Sequence, residues 1–151
     1  MIIEEATEFD TLAMVKAGKY FHDKSDYGKF QSYDEKALSE TLLKVIENPD
    51  VGKIWIGWDG NKLAGMVMGL LQPNFYNYHD VMAYCAFIAV LPKYNRTWLF
   101  KKLKTTFEDW AKESGADVVA YSGYSQKFIR ALRKDGFEQV EVTMMKKLEK
   151  E

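Results

Sequence analysis

Ile88-Ala-Val-Leu-Pro92-Lys-Tyr-Asn95-Arg-Thr-Trp98-Leu-Phe100-Lys-Lys-Leu103 reads as a buried strand, a stop at Pro92, a short loop and the opening of a helix. Proline ends the strand because it has no N–H to give the ladder. The first turns of the helix then leave backbone N–H groups without intrahelical acceptors. They sit at the positive pole of the helix dipole, and such an end can bind an anion such as phosphate. Two readings follow: the loop holds a diphosphate, or it only joins two elements.

Working outward, Val81 to Val90 is the apolar strand that feeds this loop. Before it lies Pro73-Asn-Phe-Tyr-Asn-Tyr-His79-Asp80, a loop of aromatic and polar groups that is either a substrate wall, a contact surface or a loop folded onto the core. Leu63 to Leu71 is apolar nearly throughout and so belongs in the middle of a sheet. Gly65 and Gly69 on it would let a helix or a ligand approach closely. Asp59-Gly60-Asn61 is a hairpin turn after a strand from Lys53 to Trp58. Further upstream, Ile2 to Ala6 is an opening strand. Thr7-Glu-Phe-Asp10 is a capping box for a helix carrying Phe9, Leu12, Ala13, Ala17 and Tyr20 on one face and ending near His22. Ser32-Tyr-Asp-Glu35 is a second box, for a helix with Leu38, Thr41, Leu42, Val45 and Ile46 on one face.

Downstream, a helix from Arg96 to about Ser114 turns Leu99, Leu103, Phe107 and Trp110 inward and Lys101, Lys102, Lys104, Glu108 and Lys112 outward, and Gly115 stops it. Val118 to Tyr121 is a short strand. Ser125 caps a last helix with Phe128, Ile129 and Leu132 buried, and Gly136 ends it with Phe137 packing back. Val140, Val142 and Met144 alternate in a final strand, and Lys146 to Glu151 is a solvated tail. The order β-α-α-β-β-β-α-β-α-β predicts an α/β protein with a mixed sheet and helices on both faces.

The 151 residues, 47% of them apolar, suit one domain, 1–151, with a real core. A net charge of −1 gives no general reason to expect nucleic acid as a partner. No apolar run approaches a membrane span, Met-Ile-Ile-Glu-Glu does not read as a signal peptide, and the single Cys85 fits a reducing compartment, so a cytoplasmic protein is expected. Cys85 in an apolar strand reads as packing, and His22 and His79 are too few for a metal site. The three arginines, Arg96, Arg130 and Arg133, all fall in the second half, where bidentate phosphate contacts would be useful.

With the elements in order, the chain resembles the GNAT N-acetyltransferase superfamily over nearly its whole length. Asp59-Gly-Asn-Lys-Leu-Ala-Gly-Met-Val-Met-Gly69 is similar to that family's hairpin into a central strand. Ile88-Ala-Val-Leu-Pro-Lys-Tyr94 resembles its strand before the acetyl-CoA loop, and Leu132-Arg-Lys-Asp-Gly-Phe137 its last helix ending. The resemblance implies a GNAT-like acyl-CoA N-acyltransferase fold whose fourth and fifth strands splay to admit acetyl-CoA. It implies that Ile88, Ala89 and Val90 pair with the pantetheine arm. The loop with Asn95, Arg96, Thr97, Trp98, Leu99, Phe100 and Lys101 would cradle the diphosphate, and Ser125 would stand where an asparagine contacts the cofactor. An amine, on a small molecule or a protein, would attack the thioester directly, with no metal.

Three departures stand out. Trp98 and Phe100 replace the loop's small residues, Leu132 replaces the acid tyrosine, and the fourth strand lacks a glutamate at Tyr84 to Phe87. Candidates for the acid–base work are Tyr124, Tyr121 and His79, with Tyr84 beside them. Lys127, Arg130, Arg133 and Lys134 would meet the 3′-phosphate of coenzyme A, or an acidic partner, or only water. The alternative is a catalytically inactive GNAT-fold protein, a virion or assembly component, since the chain also resembles small phage-encoded members of the family. The aromatic loop and final strand would serve a homodimer.

Overall fold

Gly60 has a φ of 61°, and Asp59 pairs with Lys62 across it, so a two-residue turn with glycine in first place joins the strand ending at Asp59 to the longest strand of the sheet. That turn fixes the register from which the sheet grows. The computed structural model describes residues 1–150, so Glu151 of the expected tail lies outside the described residues. In chain order the elements are β1 (Ile2–Glu5), α1 (Thr11–Lys24), α2 (Glu35–Glu47), β2 (Gly52–Asp59), β3 (Lys62–Pro73), β4 (Val81–Val90), α3 (Leu99–Glu113), β5 (Val118–Tyr121) and α4 (Gln126–Lys134). Short 3-10 turns precede α1, α2 and α3.

The sheet runs β1-β2-β3-β4-β5. The first three pairings are antiparallel, and β4 pairs with β5 in parallel across α3, which is the mixed sheet expected. Helices α1 and α2 cover one face, packing Met14, Val15, Leu42 and Val45 against Ile54, Ile56 and Met66. Helix α3 covers the other, with Leu99, Leu103, Phe107 and Trp110 on Trp55, Val67, Ala83 and Ile88. The four inward residues of α3 are those its spacing predicts.

Several boundaries differ from expectation, each for a local reason. The Thr7 box does form, with the Thr7 N–H donating to the Asp10 carboxylate at 2.8 Å, but it closes a 3-10 turn over Glu8–Asp10. Helix α1 therefore starts at Thr11, runs past His22 to Lys24, and leaves Phe9 88% exposed and Leu12 outside as well. The second cap is Asp34, which accepts from the Ala37 N–H at 2.8 Å, rather than Ser32; aspartate caps as well as serine and lies next to the first helical residue. Helix α3 begins at Leu99 rather than Arg96, because Thr97 closes a tight turn onto the Tyr94 carbonyl through both its N–H and its hydroxyl. The final strand is absent. Residues 138–150 pair with no strand, and Val140, Val142 and Met144 stand 91%, 69% and 86% exposed. Alternation supplies a strand's side-chain pattern but not the neighbour that a ladder requires.

Of the two glycines singled out on β3, Gly69 has a clear purpose. A Cβ there would lie 2.6 Å from the Trp110 ring and 2.7 Å from the Phe107 ring. The glycine lets α3 lie close on the sheet, and a helix rather than a ligand makes that approach. Gly69→Ala should therefore destabilise the fold by about 1–3 kcal/mol through overpacking. Denaturant melts would show a lower midpoint at unchanged slope, and an unchanged midpoint would refute the close fit.

Candidate active site

The site begins with a change of partners along β4. Opposite β3, Met68 faces Phe87 while Gly69 faces Cys85, so Ala86 is an extra residue in β4. Such a bulge bends its strand and interrupts the ladder. On the other side, β5 follows β4 only from Met82–Val118 to Cys85–Tyr121. Beyond that point Phe87–Val90 pair with β3 alone, and no strand pairs with their second edge. Ile88, Ala89 and Val90, the expected cofactor edge, lie along this unpaired stretch.

The edge leads to the loop before α3. There the Asn95, Thr97 and Leu99 N–H groups are satisfied internally, by the Pro92 carbonyl, the Tyr94 carbonyl and the Thr97 hydroxyl. Among the described residues, the N–H groups of Arg96, Trp98, Phe100 and Lys101 donate to no protein acceptor. No acidic residue occupies the first turn of α3, and Lys93, Arg96, Lys101 and Lys102 lie in or next to it along the chain. A phosphate-sized anion suits these donors. Of the two large side chains, Phe100 turns onto Phe128 of α4, edge to face at 5.6 Å between ring centres, and Trp98 is 50% exposed. Ser125 caps α4, its oxygen accepting from the Phe128 N–H at 3.1 Å, which leaves its own O–H free to donate.

The candidate acid–base groups have unlike surroundings. The Tyr121 hydroxyl donates to Glu108 at 3.0 Å, and its ring packs against Phe107, Phe128 and Phe137. Burial, and then the Glu108 charge, pushes its phenol far above the usual range. Tyr84 shares a 3.1 Å hydrogen bond with Ser122. Tyr124 lies against Phe128 at 5.3 Å, so Phe128 brings Tyr121 and Tyr124 together. Although the Tyr124 residue as a whole is 60% exposed, burial raises its phenol, with Cys85 a smaller cause. His79 stands apart on the β3–β4 loop, its ring against Tyr78 at 4.2 Å. That loop is not folded onto the core: Phe75, Tyr76 and Tyr78 are exposed, and it is held by its own asparagines, Asn74 accepting from the Tyr76 N–H and Asn77 from the His79 N–H. Leu132 is buried where the resemblance would want a hydroxyl.

A charged cluster backs Tyr121, and helical spacing misassigned it. Lys104 bonds Glu108 and Asp135, each at 2.8 Å, with its own side chain only 16% exposed. Burial pulls the Lys104 ammonium down, but the hydrogen bonds to Asp135 and Glu108 outweigh it and leave its pKa raised. Lys104 and Glu108 were expected outside; the four-residue spacing of opposite charges was the available signal that they pair.

Two surface hollows lie away from the strand opening. One of about 40 Å³ between α2 and β2 is too small for a coenzyme. The other, about 450 Å³, follows the α1–α2 connection past His22, Asp23, Ser25 and Gly28. Among the described residues no group of three or more metal-ligating side chains comes together, and no helix is long and apolar enough to cross a membrane.

Comparison with known proteins gives this geometry a family. A family model described as "Acetyltransferase (GNAT) family" matches residues 18–137, and the chain belongs to that family. No curated protein sequence is significantly similar to it. Its fold is shared with an aminoglycoside acetyltransferase from an uncultured soil metagenomic sample, solved with trehalose (TM-score 0.74, 20% identity, covering 98% of this chain and 96% of that one). It is shared equally with glucosamine-6-phosphate N-acetyltransferase from Arabidopsis thaliana (TM-score 0.74, 14% identity, 98% of each chain). A predicted acetyltransferase from Clostridium acetobutylicum, solved with acetyl-CoA, is a third (TM-score 0.73, 15% identity, 95% of this chain and 94% of that one). At these identities the likeness is one of fold.

Cys85 is buried beside the bulge, and burial pushes its thiol up to about 12. It should therefore resist a disulfide reagent at mildly alkaline pH in the folded protein and react fully after denaturation, since only the thiolate attacks. Native labelling as fast as that of a free thiol would show that β4 is not packed as described.

Proposed function

We propose that the protein is an N-acetyltransferase that moves an acetyl group from acetyl-CoA to a primary amine. The observation that carries this reading is the continuity of the unpaired β4 edge with the loop of unpartnered N–H groups. The pantetheine arm of coenzyme A contains amides that pair with a strand edge as another strand would, and its diphosphate suits the donors of Arg96, Trp98, Phe100 and Lys101. The family and the acetyltransferase fold support acetyl transfer as the reaction. Amino-group acceptors are named for two of the structural relatives, and an amine is the acceptor class proposed here. The buried free thiol suits a reducing compartment such as the cytoplasm.

In the reaction the neutral amine attacks the thioester carbonyl carbon. A C–N bond forms, the C–S bond breaks, the amine proton passes to water, and the leaving thiolate takes a proton from an acid. Tyr124 is the residue we assign as that acid. The Tyr121 O–H is committed to Glu108, the Tyr84 O–H is shared with Ser122, and His79 lies on an exposed loop. A raised phenol pKa keeps Tyr124 protonated at neutral pH and above, the state an acid requires.

Titration calorimetry should detect acetyl-CoA binding at micromolar levels, weakened about tenfold or more by Arg96→Glu, which places a carboxylate beside the diphosphate. Absence of binding at millimolar acetyl-CoA overturns the proposal. Tyr124→Phe should lower kcat roughly 100-fold while leaving acetyl-CoA affinity unchanged. Because the Tyr124 pKa is raised, the alkaline fall in kcat should come above the usual tyrosine value of about 10 and should vanish in the Tyr124→Phe protein. An unchanged kcat in that variant removes Tyr124 from the chemistry.

A further inference from the structure

The loop between β4 and α3 is seated on the β2–β3 hairpin, and one buried tyrosine makes the join. Tyr94 is 7% exposed, and its O–H donates to the Asp59 carboxylate at 2.8 Å. Asp59 is the last residue of β2, and among the described residues no lysine, arginine or histidine pairs with it. A buried phenol needs an acceptor, and a bond to a carboxylate is roughly twice as strong as one between neutral groups. Two further contacts seat the loop on the same hairpin. The Leu91 N–H donates to the Ala64 carbonyl at 2.8 Å. Leu99 fills the space a Cβ on Gly57 would take, with its Cδ1 2.5 Å from that position.

A chain of bonds runs from this join to the free donors of the loop. The Tyr94 carbonyl accepts from the Thr97 N–H at 3.1 Å and from the Thr97 hydroxyl at 2.7 Å. The Thr97 hydroxyl oxygen in turn accepts from the Leu99 N–H at 3.3 Å. Tied and free groups therefore alternate: the N–H groups of Thr97 and Leu99 are tied, and those of Arg96, Trp98 and Phe100 are free. Tying the residues on either side of Trp98 sets where its own N–H points. No residue of the loop has a positive φ, so anchors rather than glycine give it its path.

We propose that Tyr94 and Asp59 are positioning residues for the coenzyme: their hydrogen bond holds the loop in the shape that presents its free N–H groups to the diphosphate. Both act through the Thr97 turn rather than on the coenzyme itself. A loop already ordered before binding gives affinity that a loop ordered on binding would lose to entropy. This role presupposes that the loop is the diphosphate site.

Tyr94→Phe keeps the ring in the core and removes only the O–H, which makes it the decisive variant. The Thr97 and Leu99 amides should exchange hydrogen about tenfold faster in it, with rates in β3 unchanged. Acetyl-CoA affinity by calorimetry should fall about tenfold in the same protein. Asp59→Ala should reproduce both effects, and the double variant should be no weaker than either single one, as for two partners in one bond. Asp59→Asn, whose amide oxygen still accepts from Tyr94, should stay within about threefold of the unsubstituted protein. Faster exchange spread through the sheet would mean general destabilisation and overturn the positioning role. Affinity that is equal in Tyr94→Phe and the unsubstituted protein overturns that role alone. An unsubstituted protein that fails to bind acetyl-CoA at millimolar levels overturns the coenzyme reading, and the positioning role with it.

Discussion

The extra residue at Ala86 divides β4 into two strands with different neighbours. Before it, backbone groups are satisfied on both sides, by β3 and β5. After it they are satisfied by β3 alone. A sheet with parallel pairing along its full length would bury this stretch and leave no edge for a ligand. Here a strand firmly held in the core has a free margin beyond its bulge. The proposed acyl transfer depends on that division, because a coenzyme arm would be recognised here by main-chain groups that the fold has left unpaired.

The end of β5 beside this free margin is braced. Tyr121, the last residue of β5 to pair with β4, is packed by Phe107, Phe128 and Phe137 and bonded to Glu108. Lys104 ties Glu108 to Asp135 just beyond α4. One lysine thus joins α3, β5 and the end of α4. Removing the Lys104 charge would leave the half-buried Glu108 carboxylate without its counter-ion. The same bracing takes Tyr121 out of contention as a free acid, whereas among the described residues the Tyr124 hydroxyl has no hydrogen-bond partner.

Much of the fold was legible because it rests on periodicity and on chain punctuation. The inward stripe of α3, the hairpin at Gly60 and the stops at Gly115 and Gly136 all follow from residue types whose backbone preferences are local. The bulge was not legible, since Ala86 sits in an unbroken apolar run and nothing but its two neighbours defines it. Lys104 and Glu108 were misread for a related reason: helical spacing sorts residues by face, yet a lysine near the boundary can bury its stem and reach a carboxylate across the corner. The final strand shows the opposite case. Its alternation is plain in the sequence, but a strand exists only against a partner, and residues 138–150 pair with none.

The replacement of the loop's small residues by Trp98 and Phe100 can be argued through in the same terms. Glycine is required in such a loop for one of two reasons, a left-handed dihedral or room beside the backbone. Among the described residues only Gly60, Gly115 and Gly136 have positive φ, and Trp98 itself lies in the right-handed region at φ −71° and ψ −9°. The path of this loop therefore needs no residue with glycine's freedom, and the first reason does not apply. The second is a matter of where side chains go. Phe100 finds its space against Phe128, and because Phe128 is itself in the aromatic cluster with Tyr121 and Tyr124, the substitution adds to the packing of α4. Trp98 stays half in solvent, and its N–H remains unpartnered. The large residues change what the walls of the loop are made of, while the backbone donors that would meet a diphosphate stay available.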